Sequence, residues 1–277
     1  MSDNDVEAKP GNGLSDRARR RFLSSLLTAG AMVSIPGVLL RAAQTGDSGP
    51  PPSADQETFP GERLGDQPVG DSVRWGMLVE ADKCTACGAC VEACDRLHRL
   101  PDTGRPAIDP QWLRIYKLED PLSKRRINVP VMCQHCASPP CVDVCPTGAS
   151  FKRADGIVLV DKHLCIGCRY CMMACPYGAR SFIAYDTVDH TPYNPSGKGT
   201  VESCTLCVVR MDQEHIDGVN GTTACAAACE REGHRALTYG DLKDPDSAIS
   251  RRMAELGAIR QLRADLTLDT GVRYHGI

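Results

Sequence analysis

Large apolar side chains are scarce in this 277-residue chain: four Phe, two Trp and seven Tyr make aromatics only 5% of it. Packing of large apolar groups is thereby excluded as the main source of cohesion, and something else must hold the fold together. Charge of one sign is missing too. The net charge is −3, with no basic patch interleaved with stacking aromatics, which excludes a nucleic-acid partner. No G-x-S-x-G, H-E-x-x-H or phosphate-binding glycine loop occurs, so no motif of a substrate site is present. Beyond residue 43 no apolar run is long enough for a membrane-spanning helix. What the chain has in excess is cysteine, sixteen of them.

Residues 1–43 read as an export signal. Arg19-Arg20-Arg21-Phe22-Leu23 has the twin-arginine form, a moderately apolar stretch runs from Phe22 to Leu40, and Arg41-Ala42-Ala43 offers small residues to a peptidase. The competing reading is an uncleaved anchor helix, but Gly30, Ser34, Pro36 and Gly37 make the stretch weakly hydrophobic. Twin-arginine export carries folded proteins, so a periplasmic location with the cofactor already inserted is expected. Residues 44–73, rich in Gly, Pro, Asp and Ser, read as a flexible linker.

The cysteines fall into four quartets with none left over. They are Cys84-x2-Cys87-x2-Cys90-x3-Cys94, Cys133-x2-Cys136-x4-Cys141-x3-Cys145-Pro146, Cys165-x2-Cys168-x2-Cys171-x3-Cys175-Pro176 and Cys204-x2-Cys207-x17-Cys225-x3-Cys229. Thiolates two residues apart let a tight loop wrap three corners of one cubane. A fourth, three residues on, points away and serves a different cluster in two-cluster ferredoxins. Pro146 and Pro176 stop the short helix, while Gly148 and Gly178 permit the turn that follows. Cys-Pro-Thr-Gly-Ala at 145–149 matches Cys-Pro-Tyr-Gly-Ala at 175–179, an internal duplication.

Two other readings compete. An even cysteine count in an exported protein suggests disulfides, and paired C-x2-C motifs suggest zinc ribbons. A disulfide scaffold has no need of folded export. A zinc ribbon wants two pairs divided by a longer loop, whereas the first and third quartets crowd four cysteines into eleven residues. Four [4Fe–4S] clusters are the expectation, with the fourth quartet the least typical because of its long middle loop. Sixteen thiolates against four doubly charged cores leave about −8 to be screened by backbone N–H groups and nearby cations.

Short strands are predicted at Trp75–Val79, Ile115–Leu118, Ile157–Asp161, Phe182–Tyr185 and Leu237–Gly240. Short helices are predicted over Cys90–His98, Arg169–Cys175 and Thr205–Met211, and a longer one from Asp246 as N-cap to Leu256. The fold class is α+β: duplicated ferredoxin-like halves, each with two [4Fe–4S] clusters, short strands and long loops. Half A takes residues 74–100 and 200–245, half B takes 130–186, and the four-cluster domain spans 74–245. The polar stretch 246–277 reads as a helix followed by an arm laid on a partner.

The chain resembles the four-cluster ferredoxin subunits of polysulfide, dimethyl-sulfoxide and nitrite reductase complexes. The resemblance rests on Cys-Gln-His-Cys-Ala-Ser-Pro-Pro-Cys at 133–141 and Cys-Ile-Gly-Cys-Arg-Tyr-Cys-Met-Met-Ala-Cys-Pro-Tyr-Gly-Ala-Arg at 165–180, and covers about Trp75 to Pro245. The twin-arginine leader, Arg180-Ser181-Phe182 and Tyr239-Gly240-Asp241-Leu242-Lys243-Asp244-Pro245 are most similar to the DsrO type, the periplasmic subunit of the Dsr complex of dissimilatory sulfur metabolism. The resemblance implies crossed ligand sets: Cys84, Cys87, Cys90 with Cys229; Cys204, Cys207, Cys225 with Cys94; Cys133, Cys136, Cys141 with Cys175; and Cys165, Cys168, Cys171 with Cys145. It also implies a polytopic quinone-interacting membrane partner and, in the Dsr complex, a multihaem cytochrome c. Glu230-Arg231-Glu232-Gly233-His234 stands where many relatives have Cys-Pro-x-Gly-Ala, a departure at the turn after Cys229.

The functional expectation is an electron relay with no catalytic site of its own, serving a Dsr-type complex. The alternatives are the same role beside a periplasmic molybdenum (polysulfide or tetrathionate) reductase or a nitrite reductase, and an exported zinc-binding structural protein. His135 lies inside a cluster loop, either donating to a sulfur or facing solvent. Lys83, Lys162 and Arg169, beside cluster cysteines, are candidates to offset negative charge, or are ordinary solvated side chains. His98, His163, His190, His215, His234 and His275 show no ligand spacing and read as surface or supporting residues.

Overall fold

A run of Gly-Met-Leu-Val-Glu with no polar alternation makes β1 (Trp75–Glu80) a strand buried on both faces. It is the middle strand of a three-stranded sheet. On one side β8 (Leu237–Asp241) pairs antiparallel, with Met77 opposite Tyr239; on the other β9 (Val272–His275) pairs parallel, with Met77 opposite Val272 and Val79 opposite Tyr274. Gly76 is required here: a Cβ would lie 2.6 Å from both the Gly271 carbonyl oxygen and Leu242 Cδ1. The computed structural model describes residues 70–105, 108–186, 197–208, 210 and 221–277. The expected leader and nearly all of the expected linker lie outside these residues, and the expected helix over Thr205–Met211 lies within them only in part. Among the described residues no helix is long and apolar enough to cross a membrane.

The strand β9 corrects one expectation. The tail read as an arm laid on a partner is a core element instead: Val272 and Tyr274 are both 0% exposed. Tyr274 is held from both sides, donating from its hydroxyl to the Pro130 carbonyl at 3.4 Å and accepting from Gln134 Nε2 at 3.0 Å. The folded domain therefore runs past residue 245 to the last strand.

Three two-stranded ribbons carry the cysteine loops. They are β2 (Arg114–Glu119) with β3 (Arg126–Val131), β4 (Ser150–Lys152) with β5 (Val158–Val160), and β6 (Arg180–Phe182) with β7 (Val201–Ser203), all antiparallel. The β6 strand starts two residues before its predicted position, because Arg180 already pairs with Ser203.

The helices are short. They are α1 (Ala89–His98), α2 (Pro140–Asp143), α3 (Tyr170–Ala174), α4 (Ala224–Arg231) and α5 (Ala248–Leu256). In α4 the run Ala-Cys-Ala-Ala-Ala-Cys is buried all round, and small side chains let it press closely on α1. Thr223 caps α4 by accepting from the Ala226 amide, a contact of about 1 kcal/mol. The α5 cap is Ser247, accepting from the Ser250 amide, one residue beyond the predicted Asp246. From α5, Arg252 clamps Glu80 of β1 through two contacts, at 2.7 and 3.0 Å, and Lys83 binds the same carboxylate at 2.9 Å.

Cysteines are part of the core itself. Cys90, Cys225 and Cys229 pack with Met77, Val79, Ile157 and Tyr274, while Cys141 and Cys171 pack with Val158 and Val201. This answers the aromatic deficit: thiols and small residues fill positions that Phe and Leu occupy elsewhere.

Candidate iron–sulfur centres

Helical spacing determines how the cysteines meet. Each quartet ends in a pair four residues apart, so Cys90 and Cys94 lie on one face of α1, and Cys225 and Cys229 on one face of α4. The two helices pack so that Cys90 faces Cys229 and Cys94 faces Cys225, and each pair opens on its own cavity.

One pocket is lined by Cys84, Cys87, Cys90 and Cys229, with Ile115, Pro130 and Leu237. The next is lined by Cys94, Cys204, Cys207 and Cys225, with Met77, Leu113 and Met132. We call these sites I and II. Of the other eight cysteines, Cys133, Cys136, Cys141 and Cys175 lie together, as do Cys145, Cys165 and Cys171; we call these groups sites III and IV, and count Cys168, in the loop between Cys165 and Cys171, with site IV. Cys141 and Cys175 are the thiols that bear on Cys136, and Cys165 and Cys145 bear on Cys171. None of the sixteen cysteines is in a disulfide.

The sites are neighbours in the order I, II, III, IV. Cys225 of site II acts on Cys90 of site I, Cys133 of site III acts on Cys204 of site II, and Cys171 of site IV acts on Cys141 of site III. Only Cys87 and Cys168 are exposed, one in each end site; every cysteine of sites II and III is buried or half-buried.

Burial pushes the thiols of Cys90, Cys133, Cys136 and Cys207 up to about 12, neighbouring cysteines adding to the effect at Cys90, Cys136 and Cys207. Four thiolates could not share such a pocket without a compensating cation. Backbone amides already point at the sulfurs: Ser150 to Cys145 at 3.3 Å, Val201 to Cys165 at 3.4 Å, Leu206 to Cys204 at 3.4 Å, Ala224 to Cys207 at 3.4 Å and Ala236 to Cys229 at 3.2 Å. The Ala236 contact matches the one at Cys145, so the turn after Cys229 serves its sulfur without the Pro-x-Gly-Ala sequence. Gly148 and Gly178 have positive φ, as the duplicated turn requires.

A sulfur-rich group fits this donor set. His135 is 1% exposed and its Nδ1 accepts from the Val158 amide at 3.0 Å, which leaves the proton of the neutral ring on Nε2. That Nε2 has no acceptor among the described residues, nor has Arg180 Nη1. Both are buried donors beside site III, where sulfide would accept. Burial, with Arg180 adding to it, pushes the His135 imidazole down to about 3. Of the two readings of His135, the solvent-facing one is overturned by this burial.

Other candidates are redistributed. Lys83 is engaged with Glu80, and the Arg169 guanidinium lies 3.7 Å over the Phe182 ring. Lys162 is buried, 3.5 Å from Glu202 Oε1 and 5.6 Å over Trp112, and burial lowers its ammonium against the pull of Glu202. Cations that touch or bear on cysteines were not singled out by spacing. Arg180 Nη2 donates to Cys141 Sγ at 3.0 Å, and its nearest sequence signal is its place directly after Cys-Pro-Tyr-Gly-Ala. His98, which shows no ligand spacing, packs its ring at a tilt against Trp112, with centroids 4.4 Å apart, and reaches Cys207. Of the remaining histidines, His163 is exposed, His234 meets Thr85 Oγ1 at 3.0 Å, His275 meets Asp82, and His190 and His215 lie outside the described residues.

Comparison with known proteins agrees with this chemistry. Two family models, each described as a 4Fe-4S dicluster domain, match residues 83–149 and 125–235. The Hdr-like menaquinol oxidoreductase iron-sulfur subunit 1 of Archaeoglobus fulgidus is 43% identical over 230 residues, covering 74% of this chain and 84% of that one. The menaquinone reductase iron-sulfur cluster-binding subunit of Nitratidesulfovibrio vulgaris is 32% identical over 234 residues (73% and 88%). A tetrathionate reductase subunit of Salmonella typhimurium is 34% identical over 207 residues (74% and 73%). The chain belongs to the 4Fe-4S dicluster family of iron–sulfur electron-transfer subunits, and its cysteines hold iron–sulfur clusters rather than zinc.

Proposed function

We propose, with that membership as premise, that this chain is a four-cluster electron relay, each of sites I to IV holding one [4Fe–4S] cluster on its crossed set of four cysteines. The observation that carries the reading is the succession of four neighbouring sites, with an exposed cysteine in the first and the last and none between. Such an array takes electrons in at one end and delivers them at the other, shielding the middle from water. When bound, each cluster supplies a one-electron couple. The chain's own part is to hold the thiolates, direct amide N–H groups at them, and line sites I and II with apolar side chains. No catalytic site of its own is needed.

The partners proposed are a quinone-interacting membrane subunit on one side and another redox centre, such as a multihaem cytochrome c, on the other, in a Dsr-type complex of sulfur metabolism. The names of two relatives support the quinone side, one a menaquinol oxidoreductase subunit and the other a menaquinone reductase subunit. The twin-arginine leader supports a periplasmic location reached by folded export. A second reading, the same relay beside a periplasmic molybdenum reductase, is favoured by the similarity to the tetrathionate reductase subunit.

Anaerobic purification with iron and sulfide counting tests the cluster reading: about sixteen iron are expected, four to each cluster. A colourless protein, or one with about half that iron, would sink it. Affinity purification from detergent-solubilised membranes separates the complexes. Co-purification of a haem-bearing subunit with a polytopic one supports the Dsr type, whereas a molybdopterin subunit in their place supports the second reading.

A further inference from the structure

Residues 145–150 and 175–180 are two copies of one turn, Cys-Pro-Thr-Gly-Ala-Ser and Cys-Pro-Tyr-Gly-Ala-Arg. Each copy ends on the first residue of a strand, Ser150 of β4 and Arg180 of β6. The related positions differ in the property that matters most beside a metal site: one carries a neutral hydroxyl, the other a permanent charge.

The two residues meet. Arg180 Nη2 donates to Ser150 Oγ at 2.7 Å and to Cys141 Sγ at 3.0 Å, with Arg180 only 4% exposed. A buried guanidinium is costly unless an opposite charge compensates it. Among the described residues no carboxylate pairs with Arg180. The negative groups that bear on it are Cys141, then Cys133 and Cys171. Its counter-charge is therefore the thiolate shell of sites III and IV. Site I has no equivalent: the groups that act on Cys84 and Cys90 are other cysteines and one backbone amide.

We infer that Arg180 builds a step into the relay, holding the site III cluster at a higher reduction potential than its cysteines alone would give. The inference rests on the four-site reading above. Reduction adds one electron to the cluster and makes or breaks no bond, and Arg180 keeps its proton throughout. The added negative charge meets a cation fixed at hydrogen-bond distance in a water-poor site, which favours the reduced state. Hydrogen bonds to sulfur and local net charge are the protein's levers on such potentials. The contrast is with site I, where no side-chain cation bears on Cys84 or Cys90, so an electron rests on buried site III rather than at the exposed edge of site I beside Cys87.

The test uses full-length holoprotein, wild type, R180Q and R180K, purified anaerobically and titrated by EPR-monitored potentiometry. In R180Q with full iron and sulfide, the site III midpoint is expected to fall by tenfold or more in its reduction equilibrium, about 59 mV for one electron. The site IV midpoint, reached through Cys171, should fall by less, and the site I midpoint should stay. In R180K the site III midpoint falls by less, because an ammonium keeps the charge but loses the second donor, Nη1, that lies buried with no acceptor among the described residues. A purely structural role would change cluster content or stability without selectively moving the site III midpoint. An unmoved site III midpoint in either filled variant overturns the inference, so R180K decides it should R180Q fail to assemble. Wild-type protein short of sixteen iron would instead count against the cluster reading, before any midpoint is compared.

Discussion

His98 Nε2 lies 3.8 Å from Cys207 Sγ, with its ring tilted 39° against that of Trp112, so a half-buried imidazole from the end of α1 reaches a sulfur of the fourth quartet. Burial first, then Lys162 and Arg210, pushes this imidazole down to about 3, and it is neutral at every physiological pH. A neutral ring at this distance makes at most a weak N–H contact to sulfur. We expect His98→Phe to retain full iron and to lower the site II midpoint by no more than about tenfold, roughly 59 mV. Potentiometric titration at pH 6 and pH 8 should give the same shift, since the ring does not titrate between them.

Crossed ligation has a sharp signature. Cys94→Ser should damage the cluster held with Cys204, Cys207 and Cys225, while Cys229→Ser should damage the one held with Cys84, Cys87 and Cys90. EPR of the two reduced variants is the measurement. If Cys94→Ser removes the signal that Cys87→Ser also removes, the crossing is wrong.

Glu80 carries a buried carboxylate held by two cations from different parts of the chain, Arg252 and Lys83. Burial alone would raise its pKa, yet these partners together bring it below its ordinary 4.5. A lowered folded value means that the stabilisation is complete above pH 4.5 and is lost as pH falls through the folded value. Glu80→Gln should cost about 2 kcal/mol at pH 7, the half-exposed cations reducing the loss from that of a fully buried pair. Denaturant titrations should show this difference constant down to pH 4.5 and shrinking below it.

Removing the metal should unfold the domain. Cys90, Cys225 and Cys229 are core residues, and the cavities beside them would be left lined by thiols and a few apolar groups. Far-UV circular dichroism during anaerobic chelation is expected to fall together with the cluster absorbance. Retention of native ellipticity after the colour is lost would contradict this.

Deleting residues 270–277 removes β9 and with it the burial of Val272 and Tyr274. The loss should exceed about 3 kcal/mol, more than one large core truncation commonly costs. Soluble yield and thermal midpoint of the truncated chain are the readouts.

The sequence made the chemistry legible because ligand spacing is local. Thiols two or three residues apart bear on one or two metal sites whatever the rest of the chain does. Strands β1 and β8 were legible for a similar reason, β1 as a nearly continuous apolar run and β8 by its Leu237-Thr238-Tyr239 alternation. The strand β3 was not, because Pro130 within it argues against a paired strand; yet Pro130 sits opposite Ile115 in the ladder. Strands β4 and β7, three residues each, are too short to show a period, and β6 was found only two residues out of place. The strand β9 shows one alternation, Val272-Arg273-Tyr274-His275, and only its partner β1 reveals that Val272 and Tyr274 face the core. Arg180 and His98 escaped because they reach their sulfurs from 39 and 109 residues away in sequence. Lys83 and Arg169 were overvalued because adjacency in sequence does not aim a side chain.

The crossed arrangement also orders events in time. Every cysteine of sites III and IV lies between residues 133 and 175, so their ligands leave the ribosome close together, and the 133–137 loop is pinned later by its contacts with Leu268, Gly271 and Tyr274. Sites I and II wait longer for their ligands: Cys84 needs Cys229, and the sheet beneath them needs β9. Loops this long close slowly. The half nearest the first cysteines thus becomes fillable only once Cys229 has been made, and a copy broken off before that point leaves those pockets open for a protease to find.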